Sequence, residues 1–316
     1  MIDMEPNFIT RGGKMYPVYD YLKTETKCEE VPVAFPPQRQ DCHPGIEAVM
    51  QPRPISENAC AVGCGRLQDR VALITGGDSG IGRAVAYAFA REGADVAVAY
   101  LCEEQDAAET KARVEELGRR CLLLPGDLRN PACCRTAVER AVSCFGKLNI
   151  LVNNHAVQFI RHSILEITRE QLFTTFETNI LSYFYMIQAA LPHLGRGSSI
   201  INTTSVTAYA GEPLLLDYSA TKGAVMALTR SLSLSLVSQG IRVNAVAPGP
   251  IWTPLIPASY SARDVQTFGT DTSRVPMMRA GQPFEVASSY VFLASDDASY
   301  MSGQVLHPNG GKIVGS

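Results

Sequence analysis

From residue 67 onward, short unbroken apolar runs alternate with longer stretches whose apolar positions recur every three to four residues. The runs at 70–75, 95–100, 121–124, 148–153, 199–204, 241–247 and 304–307 read as buried strands. The stretches at 81–92, 106–117, 131–145, 168–194, 218–239 and 283–294 read as helices. Apolar strands without alternation need cover on both faces, and strand–helix alternation brings neighbouring strands parallel. The pattern therefore predicts one doubly wound α/β domain over 67–316, built on a seven-stranded parallel sheet. Residues 1–66 break the pattern. They hold 8 of the 19 prolines, with aromatics at Phe8, Tyr16, Tyr19, Tyr21 and Phe35. Such prolines interrupt both periodicities. The aromatics nevertheless favour an extended arm lying on its own core or on a neighbouring subunit.

Composition narrows the class. The chain has 316 residues, 46% hydrophobic and 19% charged, with a net charge of −3. That balance offers no electrostatic footprint for nucleic acid or an anionic membrane. No apolar run reaches the roughly eighteen residues a membrane helix needs. The acidic start, Met1-Ile2-Asp3-Met4-Glu5-Pro6, lacks the regions of a secretory signal, so a cytoplasmic location is expected. Nine scattered cysteines fit reduced thiols rather than a disulfide framework. Cys60 and Cys64 have no second pair at ligand spacing, so no metal site is expected.

The first strand runs directly into a glycine loop. Thr75-Gly76-Gly77-Asp78-Ser79-Gly80-Ile81-Gly82 opens the first helix, with glycines spaced Gly76-x3-Gly80-x-Gly82. Glycines let a backbone turn tightly against a pyrophosphate, and the amides of a helix N-terminus supply the attraction. The placement predicts a dinucleotide site. Its ribose end is acidic, at Asp78, Glu103 and Glu104, and those charges would repel a 2′-phosphate. NAD is the expected cofactor, with NADP as the alternative.

Tyr218 and Lys222 stand at i and i+4, one turn apart on one helix face. An ammonium beside a phenol favours the phenolate, which predicts a lowered tyrosine pKa suited to a general base. Alone, such a pair is a common feature of solvated helices. Ser205, thirteen residues earlier at the end of a strand, and the glycine loop change that reading.

With Asn153-Asn154-His155-Ala156 and Pro248-Gly249-Pro250 added in order, residues 67–311 resemble the short-chain dehydrogenase/reductase family. The segments Pro36-Pro37-Gln38 through Pro44-Gly45-Ile46-Glu47 and Thr75-Gly76-Gly77-Asp78-Ser79-Gly80 look like a subgroup with a proline-rich N-terminal extension, whose members are described as general-stress or putative oxidoreductases. The resemblance implies a Rossmann-type fold and hydride transfer between a nicotinamide and a secondary alcohol or ketone. It implies Tyr218 as proton-transfer group, Lys222 as its partner and ribose ligand, and Ser205 as donor to the substrate oxygen. Asn179 would hold a water linking Lys222 to solvent. Besides Gly76, Asp78, Ser79, Gly80, Ile81, Gly82, Tyr218 and Lys222, cofactor contacts are implied at Tyr100, Leu101, Asp127, Leu128, Asn154, Ala156, Pro248, Gly249, Ile251 and Thr253. His155 replaces the family's usual alanine, and either reaches substrate or turns into a neighbouring loop. Trp252 is read as packing.

Residues 253–283 are expected to form a flap over the substrate. The segment 255–260, Met277, Met278, Val157, Phe159, Leu214, Leu215 and Leu216 suggest an apolar pocket, hence a hydrophobic, hydroxysteroid-like alcohol or ketone. Sugar, aldehyde or 3-oxoacyl reduction is the alternative within the family. A non-catalytic sensor or structural subunit is the rival of another class. The largely apolar helices at 168–194 and 218–239, together with the resemblance, imply a homotetramer with the arm reaching across subunits.

Overall fold

The computed structural model describes residues 31–315 and the backbone of 7–11 and 14–18. Two short strands, β1 (Asn7–Arg11) and β2 (Lys14–Val18), pair antiparallel, Asn7 opposite Val18 and Arg11 opposite Lys14. This hairpin stands in the stretch whose sequence shows no strand periodicity. The sequence between the strands is Gly12-Gly13, a pair that two-residue hairpins favour. The side chains of Phe8, Tyr16, Tyr19 and Tyr21 lie outside the described residues, as does any reach of the arm across subunits.

The domain proper alternates β3 (Val71–Thr75), α1 (Gly80–Arg91), β4 (Asp95–Tyr100), α2 (Glu104–Glu116), β5 (Cys121–Pro125), α3 (Pro131–Phe145) and β6 (Ile150–Asn153). It continues with α4 (Arg169–Phe176), α5 (Ser182–Ala190), β7 (Ser199–Thr203), α6 (Thr207–Ala210), α7 (Leu216–Leu236) and β8 (Arg242–Val246). Last come α8 (Leu255–Ser259), α9 (Ala262–Gln266), α10 (Pro283–Ala294) and β9 (Val305–Leu306). The large sheet has seven strands in the order β5-β4-β3-β6-β7-β8-β9. Every pairing in it is parallel. The predicted Rossmann-type architecture is thus the one observed.

Alternation along each strand divides the core into two layers. Ala72 and Ile74 of β3 join Val96 and Val98 of β4 against α1 and α10. Val71 and Leu73 face the opposite way, joining Ala97, Ala99 and the apolar faces of α3, α5 and α7. The chain leaves β3 toward β4 on one side and returns to β6 on the other, so the sheet order reverses between β3 and β6. At such a switch point the loops after the strands splay apart and leave a crevice. The glycine loop and Asn154 stand there.

The single helix expected over 168–194 is broken by a π-turn at Glu177–Leu181, which joins α4 to α5. Across the turn the buried positions Thr175, Asn179, Ile180 and Tyr183 keep ordinary three- to four-residue helical spacings, so periodicity does not reveal it. Among the described residues no helix is long and apolar enough to cross a membrane.

Candidate active site

Ser205 follows β7 directly, and Tyr218 and Lys222 lie on α7, which packs beside that strand. All three side chains are buried. Lys222 Nζ donates to the Thr203 carbonyl oxygen at 2.8 Å, and the Thr204 hydroxyl donates to the Lys222 carbonyl at 2.7 Å. These two bonds lock the end of β7 to α7. The start of α7 is pinned as well. Asp217 accepts from Gln171 Nε2 at 2.9 Å and from the Thr175 hydroxyl at 2.8 Å, both on α4. Its other oxygen accepts the Tyr218 amide at 3.0 Å. Asp217 thereby fixes the backbone that carries the phenol, a role its place beside Tyr218 in sequence did not reveal.

Electrostatically the pair differs from the expectation. Burial pushes the Tyr218 phenol up to about 12, while its hydrogen bond with Ser205 draws it down. Burial likewise pushes Lys222 down to about 7. Desolvation disfavours the charged form of each group. The ammonium of Lys222 stands 5.6 Å from the ring centres of both Tyr218 and Tyr183, within cation–π range. In this structure desolvation, rather than the lysine charge, sets the tyrosine.

Asn179 sits in the π-turn and grips the loop after β6. It accepts from the Val157 amide at 2.8 Å and donates to the Val157 carbonyl at 2.9 Å. Nδ2 also reaches the Thr221 hydroxyl at 3.2 Å. These protein groups engage the whole side chain.

His155 turns into the fold. Its Nδ1 lies 2.7 Å from the Thr75 hydroxyl and its Nε2 2.8 Å from the Ser182 hydroxyl. Ser182 spends its proton on the Thr178 carbonyl at 2.5 Å. Nε2 must therefore carry the ring proton, and Nδ1 accepts from Thr75. Burial pushes this imidazole down to about 3, so it stays neutral and acts as a brace between β3 and α5.

The glycine loop is built as its sequence implies. Gly80 has φ of +52°, a left-handed conformation that favours glycine. A Cβ on Gly82 would lie 1.8 Å from the Gly76 carbonyl oxygen, so only glycine permits this closure. Ser79 makes no side-chain cap on α1. Helix geometry then leaves the Ile81 and Gly82 amides without an intrahelical acceptor, suited to an anion. Beside the loop, Asp78 is buried, and burial and the Glu103 charge push its carboxyl up to about 7. Burial also raises Glu103. The Tyr100 hydroxyl is bound to Glu104 at 2.6 Å.

One cavity of about 820 Å³ runs from this acidic end to Tyr218. Every site residue named from the sequence lines it except Gly82, Glu104 and Asn179. At the far end Val157, Phe159, Leu214 and Leu215 contribute apolar surface, as expected. Leu216, Met277 and Met278 do not line it and are exposed. Met278 takes a φ of +58° and the Met277 amide donates to the Gly310 carbonyl at 2.9 Å, which turns both side chains outward. In their place stand Gln158, His162, Glu212 and Arg274, the last two joined as an ion pair. The segment 253–283 carries α8 and α9, and its ends are joined by the Trp252 amide to the Gly281 carbonyl and the Gly281 amide to the Pro250 carbonyl, both 2.9 Å. His43, Pro44 and Gly45 also line the cavity, from the proline-rich segment before the glycine loop. Among the described residues no cluster of three or more His, Cys, Asp or Glu is placed to hold a metal ion.

The family profile described as "Enoyl-(Acyl carrier protein) reductase" matches residues 76–312. The chain is 58% identical to "Uncharacterized oxidoreductase YhxC" of Bacillus subtilis (strain 168) over 280 residues, 89% of this chain and 96% of that one. It is 51% identical to "Glucose and ribitol dehydrogenase" of Daucus carota over 287 residues, 89% of this chain and 97% of that one. Among solved structures, a short chain dehydrogenase from Burkholderia cenocepacia J2315 in complex with NADP superposes with a TM-score of 0.72 at 34% identity, covering 78% of this chain and 98% of that one. The fold, the ordered glycine loop, serine, tyrosine and lysine, and these matches place the chain in the short-chain dehydrogenase/reductase family of oxidoreductases.

Proposed function

We propose that this chain is a nicotinamide-dependent oxidoreductase that interconverts a secondary alcohol and its carbonyl form, with Tyr218 as the proton-transfer group. The observation that carries the reading is the convergence of Ser205, Tyr218 and Lys222 at one end of a cavity whose other end is the glycine loop. The residues suit a dinucleotide. The Ile81 and Gly82 amides have no intrahelical acceptor and suit an anion, and the closely packed Gly76–Gly82 turn would let a pyrophosphate approach the backbone. When bound, the nicotinamide supplies or accepts the hydride.

The rest falls to the protein. Ser205 Oγ donates to the substrate oxygen as charge gathers there. Tyr218 Oη gives its proton to that oxygen, or takes one from it. Lys222, held at the Thr203 carbonyl, stabilises the phenolate by its charge when protonated. Asn179 keeps the 155–157 loop in register with α7. Asp78, Glu103 and Glu104 at the ribose end favour NAD, since a 2′-phosphate there meets carboxylates. The relative crystallised with NADP keeps the alternative in the assay.

The polar wall at Gln158, His162, Glu212 and Arg274 favours a small polyhydroxy substrate over the steroid-like one, and the carrot relative's name points the same way. An activity panel of polyols, sugars, aldehydes and hydroxysteroids, each with NAD and NADP, tests this. Turnover of polyols or sugars with NAD supports the reading; turnover of steroids alone refutes its substrate class. Exposed Leu172, Phe173, Leu181 and Phe184 on α4, α5 and the π-turn between them support self-association as a homotetramer, which sedimentation measures. The free thiols of the described cysteines suit a cytoplasmic setting.

A further inference from the structure

The segment 35–58 lies before the region matched by the family, which begins at residue 76, yet it is built into the site. It touches the flap first. Phe35 stacks on Trp252 with ring centres 3.8 Å apart, and Trp252 Nε1 donates to the Pro52 carbonyl at 2.8 Å. The Gln40 amide donates to the Pro257 carbonyl at 2.8 Å. Gly45 is seated so closely on Pro254 that a Cβ would come within 2.4 Å of its carbonyl oxygen.

The same segment then reaches the glycine loop. Glu47 is 1% exposed, and one of its oxygens accepts the Gly80 amide at 2.6 Å. The other accepts from Arg83 Nη1 at 2.7 Å, with Arg83 itself 2% exposed. Arg83 also donates to the Asp78 and Asp106 carbonyls, both at 2.8 Å. Asp106 answers by accepting the Glu47 and Ala48 amides at 2.7 and 3.1 Å. Every member of this buried ring has a partner, the condition under which charge inside a protein specifies one geometry. Gly80 is thus held from two sides, by Glu47 and by Thr253 of the flap, whose Cβ would be 3.1 Å from a Cβ on Gly80.

We propose that segment 35–58 is a strap that fixes the glycine loop and the flap relative to each other, and that Glu47 is the positioning residue through which it aims the loop amides at the dinucleotide. Resting on the functional reading above, this adds a residue outside the region the family profile matches to the determinants of cofactor affinity. Removing the Glu47 charge frees the Gly80 peptide and leaves Arg83 short of one buried partner, so the amides at 81 and 82 lose their fixed direction.

The test compares Glu47→Gln with Glu57→Gln in the full chain. Glu57 lies on the same strap but pairs with Arg91 and Arg113, away from the loop. NADH binding by titration and thermal midpoints are read for both, with Glu47→Asp as the substitute where Glu47→Gln does not fold. Glu47→Gln is expected to raise the NADH Kd by about tenfold or more, with Glu57→Gln near wild type at a similar loss of midpoint. Equal NADH affinity in Glu47→Gln and wild type, or equal weakening in both variants, overturns the positioning role. Absence of NADH and NADPH binding in the wild type overturns the functional reading instead. In that case Trp252 emission, sole tryptophan and strap contact, decides whether Glu47 couples the strap to the loop, because an unchanged spectrum in Glu47→Gln refutes the coupling.

Discussion

Lys222 holds its Nζ 5.6 Å from the centre of the Tyr218 ring, one turn away on α7, with both side chains buried. Burial moves the two groups in opposite directions, the lysine down to about 7 and the tyrosine up to about 12. Each alone resists ionising, so a phenolate at Tyr218 is favourable chiefly when Lys222 carries its proton.

The lysine has a consequence for stability. Its pKa falls from 10.5 to about 7 on folding, so between those values the unfolded chain binds more protons. The stability it contributes is fully present above the unfolded value and is lost as pH falls toward 7. Thermal midpoints of wild type and Lys222→Met should therefore diverge in favour of wild type as pH rises from 7 to 9.5, by several degrees. Parallel curves would show that Lys222 is not desolvated.

Asp78 has the opposite sign. Its carboxyl rises from 3.8 to about 7 on folding, so the folded chain binds more protons in that window and loses stability as pH rises through it. Asp78→Asn should be more stable than wild type at pH 8, by about 2 °C or more, with the gap closing toward pH 4. The same change should shift the NADPH-to-NADH affinity ratio upward by roughly tenfold, since one carboxylate no longer opposes a 2′-phosphate. An unchanged ratio would put the 2′ position elsewhere.

Phe35→Ala tests the flap end of the strap. Phe35 is buried against Trp252, Met50 and Ile256, and truncating a buried phenylalanine costs about 3–5 kcal/mol. A lower thermal midpoint and a red-shifted emission of Trp252 are expected. A variant with native emission would mean that the ring pair does not hold the segment.

Much of this was legible in the chain because the relevant signals are local. Unbroken apolar runs such as Val71–Thr75 and Asp95–Tyr100 mark buried parallel strands, and Gly76, Gly80 and Gly82 are spaced by the turn they make. What escaped was non-local. Glu47 and Asp106 meet across fifty-nine residues, and the strap's other contacts run largely through main-chain carbonyls that any sequence would supply. The π-turn at Glu177–Leu181 keeps Thr175, Asn179 and Tyr183 buried at four-residue spacing, which a plain helix would also show. Met277 and Met278 looked like pocket residues by composition, but backbone geometry points them outward. The spacing of Tyr218 and Lys222 marks their proximity, but it carries no information about the burial that shifts both groups.

The most direct test of the central claim is steady-state turnover of Tyr218→Phe beside its NADH affinity, on whichever alcohol the wild type oxidises fastest. Removing one hydroxyl should lower kcat by about a hundredfold or more while the NADH Kd stays within about threefold of wild type. Turnover equal to wild type would contradict the assignment of Tyr218 as the proton-transfer group.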